Sequence, residues 1–146
     1  MKLTSFTDYS LRILMYLAVD AARRVTVADI AAAYGISENH LVKIAHFMGK
    51  QGWLETVRGK GGGIRLAMAP AELNIGRVVR ATEGVAIAAE CFAPDGGHCL
   101  IVDCCDLKAV LGEAVSAFYA VLDRHTLADL VRDRRGLADA LMRRAA

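Results

Sequence analysis

Cys91, Cys99, Cys104 and Cys105 are the only thiols in the chain, and they fall within fifteen residues. Thiols in a cytosolic chain stay reduced, so such a cluster points to metal or redox chemistry before disulfides. The spacing Cys91-x7-Cys99-x5-Cys105 is not the paired C-x2-C of a structural zinc site. Three thiolates leave one ligand position to be filled from elsewhere: by His98, by the vicinal Cys104 or by a group on a partner chain. Zinc held by three cysteines and His98 stays open as an alternative. Ligand softness, and a count of three thiolates plus one other group, favour an iron–sulfur cluster. Side chains at 104 and 105 diverge if a helix has begun there. One of the two then binds, and the other packs or is a redox passenger.

A second constellation suits nucleic acid. Ser37, Glu38, Asn39, His40 and Lys43 open a helix that follows a short turn. The N-terminal side chains of a recognition helix face base edges in the major groove. Asn39 can bond an adenine edge bidentately, Glu38 can accept from cytosine, and Lys43 and Lys50 can neutralise phosphates. Downstream, Arg58, Lys60 and Arg65 surround Gly59 and Gly61–Gly63, with no acid among them. Glycine allows close backbone approach, and arginine suits a narrow minor groove. Residues 1–66 carry nine Lys/Arg against five Asp/Glu, and residues 67–146 nine against eleven. The basic half is therefore where an anionic partner would sit. A plain solvated basic face is the ordinary alternative.

A third pair, Asp8 and Arg12, stands four residues apart with the acid first. Residue chemistry alone makes this a surface i,i+4 ion pair on the first helix.

These groups need elements to hold them. Tyr9–Val19 is apolar on nearly every face apart from Ser10 and Arg12, and predicts a helix buried on more than one side. Thr26 with Asp29 predicts a capped helix start, and Gly35 supplies its left-handed end. Ser37 is expected to cap the next helix, to about Gln51, with Leu41, Ile44, Ala45 and Met48 on its buried face. Two short helices around Gly35-Ile36-Ser37 make a helix-turn-helix. Trp53–Val57 and Ile64–Leu66 around the glycine-rich turn read as a β-hairpin. Together they predict a winged helix. Asn74 predicts a cap for a helix from Ile75 to Glu83, closed by Gly84. A long helix is expected from about Cys104 to Arg124, with Leu107, Leu111, Ala114, Phe118 and Leu122 along one stripe. A second copy of the chain, related by a two-fold, would cover it economically; packing back on its own domain is the alternative. Thr126 starts a short terminal helix, Arg134-Arg135-Gly136 is expected to interrupt it, and the last ten residues are expected to fray.

The fold class expected is thus mainly α with a small β-hairpin. Residues 1–67 would form the winged helix-turn-helix domain, 68–103 a connector helix and cysteine loop, 104–125 a dimerisation helix, and 126–146 a short helical segment. A length of 146 residues with 55% hydrophobic residues excludes a disordered or fibrous chain. The longest charge-free run, nine residues from Ala114 to Leu122, is too short to span a membrane. With no signal-peptide pattern at the N-terminus, a cytoplasmic location is expected. Enzyme chemistry is disfavoured: His40, His46, His98 and His125 sit near no nucleophile motif. The GKGGG turn also lacks the strand-then-helix context of a phosphate loop.

Four segments taken together carry a resemblance over nearly the whole chain: MKLTSFTDYSLR at 1–12, ISENHLVKI at 36–44, VRGKGGGIRL at 57–66, and the three-cysteine loop followed by DLKAVL. They resemble the winged-helix iron–sulfur regulators that include NsrR, IscR and RirA. FTDY, NHLVKI and TLADLV look most like the NsrR-like nitric-oxide-sensing repressors. The resemblance implies a homodimer crossed by its long helices, on a palindromic double-stranded DNA operator, with nitric oxide as signal. It implies a cluster, 4Fe–4S in preference to 2Fe–2S, bound by Cys91, Cys99 and Cys105 with Asp8 of the other protomer as fourth ligand and Arg12 nearby. Cys105 is preferred over Cys104 because it directly precedes Asp106-Leu107-Lys108, the family's start of the dimer helix. AECF at 89–92 and the Cys91–Cys99 gap are also similar to iron-responsive RirA-like members, so iron supply is the alternative signal.

Overall fold

A computed structural model of the chain describes residues 2–57, 59, 61–84, 89–92 and 98–145. Glu90 and residues 142–145 are described by backbone alone. Helix α1 spans Ser5–Val19 and starts a turn earlier than apolar periodicity predicts. The Thr4 hydroxyl accepts the Thr7 N–H at 3.2 Å and fixes that start. Thr7 and Ser10 sit on the buried face with Ile13, Leu14, Leu17 and Ala18. A reading by hydrophobic period misses a first turn whose buried face is polar.

Helix α2, Val27–Tyr34, follows the expected capping box of Thr26 and Asp29 and ends at Gly35 with φ 66°. Hydrogen bonds from the Thr26 backbone and hydroxyl hold the Asp29 carboxyl below the usual carboxylate range. Helix α3, Glu38–Lys50, buries Leu41, Ile44, Ala45 and Met48 as predicted. Ser37 occupies the N-cap position, yet its side chain makes no capping bond, contrary to expectation. The hairpin pairs β1, Leu54–Val57, with β2, Gly63–Leu66, antiparallel, Glu55 facing Arg65. Val25 adds a bridge to the wing, donating to the Ile64 carbonyl at 3.2 Å and accepting from its N–H at 2.8 Å. Gly63 is required there, because a Cβ on it would lie 2.7 Å from the Val25 carbonyl oxygen.

A turn at Pro70–Glu72 leads to α4, Ile75–Glu83, capped by Asn74 and closed by Gly84, as predicted. One continuous core joins α1–α3, the hairpin and α4 through Ile13, Leu41, Trp53, Ile64, Val78 and Val79. Two further short turns, Glu90–Phe92 and Val102–Cys104, flank the cysteine loop. Helix α5 spans Asp106–Asp123, two residues shorter at its start than expected, because the Val102–Cys104 turn intervenes.

No residue of α5 is buried within the single chain. Its C-terminal half leans on α4 through Phe118, Tyr119 and Leu122, which pack partly buried against the core. Arg80 clasps Asp123 with two bonds of 2.6 Å while its guanidinium lies 4.4 Å from the Tyr119 ring centroid. The N-terminal half leaves Leu107 and Val110 about three-fifths exposed, with Leu100 and Ile101 exposed beside them. Helix α6, Leu127–Leu130, has its own capping box from Thr126 and Asp129.

The expectation for the terminus fails in an informative way. Arg134-Arg135-Gly136 does not interrupt a helix but opens α7, Arg134–Ala145. The Asp133 carboxylate accepts the Gly136 N–H at 2.9 Å, so the break falls at Val131–Asp133. The last ten residues, expected to fray, belong to α7 up to Ala145, which packs over α2 and α1.

Candidate nucleic-acid interface and cysteine loop

The buried face of α3 fixes the direction of its opposite face. With Leu41, Ile44, Ala45 and Met48 in the core, Glu38, Asn39, His40 and Lys43 all stand exposed, next to exposed Ser37. Among the described residues, no hydrogen bond or ion pair engages the Asn39 or Lys43 side chain. The second candidate group is brought together less completely. Arg58 and Lys60 lie outside the described residues. Gly59 and Gly61 of the wing turn adopt φ 93° and 79°, conformations that glycine tolerates and L side chains rarely do. Arg65 departs from the acid-free cluster expected for it. It lies within β2, donating to Glu55 at 2.8 Å and forming an ion pair of 2.6 Å. The sequence showed no acid within the turn; the antiparallel register supplies one from the other strand.

Asp8 and Arg12 form the i,i+4 pair expected from residue chemistry, at 3.0 and 3.1 Å, each side chain a little under half exposed. The Arg12 guanidinium also lies 5.7 Å from the Tyr34 ring centroid, at the end of α2. Burial raises the Tyr34 hydroxyl above its ordinary range, with the Arg12 charge acting in the opposite sense.

All four cysteines are free thiols. Cys91, Cys99 and Cys105 are half-buried, whereas Cys104 is exposed and its thiol turns back to the Ile101 carbonyl at 3.6 Å. Cys105 occupies the N-cap position of α5 without a side-chain capping bond. Among the described residues of the single chain, no three His, Cys, Asp or Glu side chains are gathered closely enough to hold a metal ion. Also among them, no helix is long and apolar enough to cross a membrane.

A longer-range interaction also escaped the sequence reading. Glu83, the last residue of α4, reaches the start of α1. Its carboxylate accepts the Thr4 N–H at 2.8 Å and the Thr4 hydroxyl at 3.0 Å. Nothing local in the sequence signals it, because 79 residues separate the partners.

Residues 3–133 match the Rrf2 family, described as iron-dependent transcriptional regulators. The HTH-type transcriptional regulator NsrR of Geobacillus kaustophilus is 50% identical over 145 residues, covering 99% of each chain. The NsrR of Bacillus subtilis is 47% identical over 142 residues, covering 97% of each. Among solved structures, T. potens IscR is similar with a TM-score of 0.73 at 26% identity, over 91% of this chain and 88% of that one. The oxidised form of Staphylococcus aureus CymR is similar with a TM-score of 0.69 at 25% identity, over 89% and 95%. A winged helix-turn-helix, matched over nearly its full length by transcriptional regulators, places the chain in the Rrf2 family.

Proposed function

We propose that the chain is a DNA-binding transcriptional repressor that acts as a homodimer and whose operator affinity is set by an iron–sulfur cluster responsive to nitric oxide. The observation that carries this reading is the pairing, in one chain, of an exposed polar recognition helix with three free, half-buried thiols, one of them at the N-cap of α5. Cys91, Cys99 and Cys105 offer soft donors fit for cluster iron, and one chain does not assemble a full ligand set from its described residues. That supports a site completed across a dimer, with Asp8 of the other protomer as fourth ligand, as the resemblance to NsrR-like repressors implies.

When bound, the cluster supplies iron that reacts with nitric oxide. The chain's own residues do the rest. Asp8, paired with Arg12 in the single chain, would serve as the fourth ligand across the dimer and so would tie α1 of one protomer to the cysteine loop of the other. Residues 104–125 hold the two winged domains, residues 1–67, at the spacing of a palindromic operator. Ser37, Glu38, Asn39, His40 and Lys43 face the major groove, and Arg58 and Lys60, with Arg65 once it leaves Glu55, reach the backbone or minor groove from the wing.

Iron supply is a second reading for the signal, favoured by the family's description as iron-dependent. Anaerobic purification, an absorption spectrum and a gel shift on a cognate operator test both. Nitric oxide is expected to bleach the cluster bands and release DNA. Release by an iron chelator but not by nitric oxide would give the iron reading. A colourless protein carrying zinc after anaerobic purification would overturn both.

The DNA contacts make separable predictions. Asn39→Ala is expected to reduce discrimination between operator and random DNA by roughly 1–3 kcal/mol, leaving non-specific binding nearly unchanged. Lys60→Ala is expected to weaken both alike and lower the salt slope by about one. Fluorescence anisotropy over a salt series reads the two quantities. Equal losses on both DNAs for Asn39→Ala would remove it from the base-reading set.

A further inference from the structure

We infer that Glu83 is the positioning residue for Asp8, an inference that rests on the cluster reading above. Asp8 lies in the first turn of α1, and its N–H bonds the Thr4 carbonyl at 3.0 Å. Thr4 is the residue that Glu83 grips, through both its N–H and its hydroxyl. From the Glu83 carboxylate to the Asp8 backbone there is therefore a single intervening residue.

A second tie runs alongside. The Thr7 hydroxyl, fully buried, donates to the Thr82 hydroxyl at 2.9 Å, and Thr82 in turn donates to the Val78 carbonyl at 3.0 Å. Two consecutive residues of α4 thus hold the first turn of α1, and among the described residues no other hydrogen bond ties Thr4 to another element. The charge also suits the place. A carboxylate at a helix N-terminus meets unsatisfied N–H groups and the positive end of the helix dipole.

The position of Glu83 in the chain gives the clamp its consequence. It ends α4, which Arg80 locks to Asp123 of α5, and Gly84 then leads toward Cys91. The carboxylate that steadies Asp8 for the partner's cluster therefore sits where the chain departs for its own cysteines. Aspartate is a hard and weak ligand beside thiolates. It needs its backbone held in place before iron arrives, because each loosely held rotamer or turn is an ordering cost at binding.

The test compares wild type with Glu83→Ala and Glu83→Gln, the latter keeping an acceptor oxygen for Thr4. In metal-free protein, hydrogen exchange at the Asp8 amide is expected to quicken about fivefold in Glu83→Ala and to stay near wild type in Glu83→Gln. After anaerobic reconstitution, the circular dichroism of the Glu83→Ala cluster is expected to move toward that of Asp8→Ala. Its operator affinity is expected to fall about fivefold, with Glu83→Gln restoring both. A wild-type cluster spectrum in Glu83→Ala, with or without faster exchange, would overturn the positioning role. Failure of wild type itself to take up a cluster would instead sink the cluster reading, and the inference with it. Should Glu83→Ala not fold, Glu83→Asp keeps the charge but withdraws it from Thr4, and is judged by the same two readouts.

Discussion

Cys91→Ala, Cys99→Ala and Cys105→Ala are each expected to abolish stable cluster binding, while Cys104→Ala retains it. Thiolate–iron bonds supply most of the binding, and each of these three cysteines is a free, half-buried thiol on the one loop. Cys104 differs in kind: it is exposed, ends a short helical turn, and directs its thiol to the Ile101 carbonyl. Asp8→Ala is expected to fall between the two groups. Three thiolates remain, so the cluster bands persist, but loss of the oxygen ligand shifts the circular dichroism. Operator affinity falls, because α1 of one protomer no longer joins the loop of the other. Absorbance, circular dichroism and gel shift on anaerobic variants decide it. Wild-type behaviour of Asp8→Ala in all three would leave Asp8 as the surface partner of Arg12, at the 3.0 Å seen in the single chain.

The second large effect is expected from Val110→Asp. In the single chain this side chain is 60% exposed, so a carboxylate there costs the isolated fold little. Under a two-fold partner it becomes a buried charge, present twice by symmetry. Such a charge costs about 3 kcal/mol or more, a hundredfold or more in the dimer dissociation constant. Light scattering and sedimentation are expected to show monomer with an unchanged circular dichroism spectrum, and operator binding is expected to collapse. A stable dimer of Val110→Asp would place the interface away from the first half of α5. Phe118→Asp, the substitution that helical periodicity alone recommends, is the poorer probe. Phe118 packs against the chain's own core and against Tyr119 at 5.2 Å between ring centroids. That variant is expected to lower thermal stability whatever the dimer does.

These two side chains show what periodicity can and cannot decide. Leu107 and Phe118 share an apolar stripe that Val110 widens, and the stripe correctly foretells the helix. Whether the chain itself covers a position depends on where α4 lies, which no local pattern encodes. The elements that the sequence did announce are those governed by nearest neighbours in the chain. Thr26 with Asp29, Gly35, Asn74 with Gly84, and the glycine turn between β1 and β2 each act through bonds or dihedrals within about four residues. The exposed reading face of α3 follows as well, because burying Leu41 and Met48 leaves Asn39 and Lys43 no other direction. The misses share the opposite property. The polar inner face of the first turn of α1, the Glu55 partner of Arg65 and the helix made by Arg134-Arg135-Gly136 all depend on what is packed or paired across the fold. The Glu83 clamp on Thr4 is the extreme case, two ordinary residues 79 positions apart that only tertiary structure sets within 2.8 Å. Short-range hydrogen bonds and backbone dihedrals are written in residue type and spacing. Long-range polar contacts arise only once hydrophobic burial has decided which elements meet.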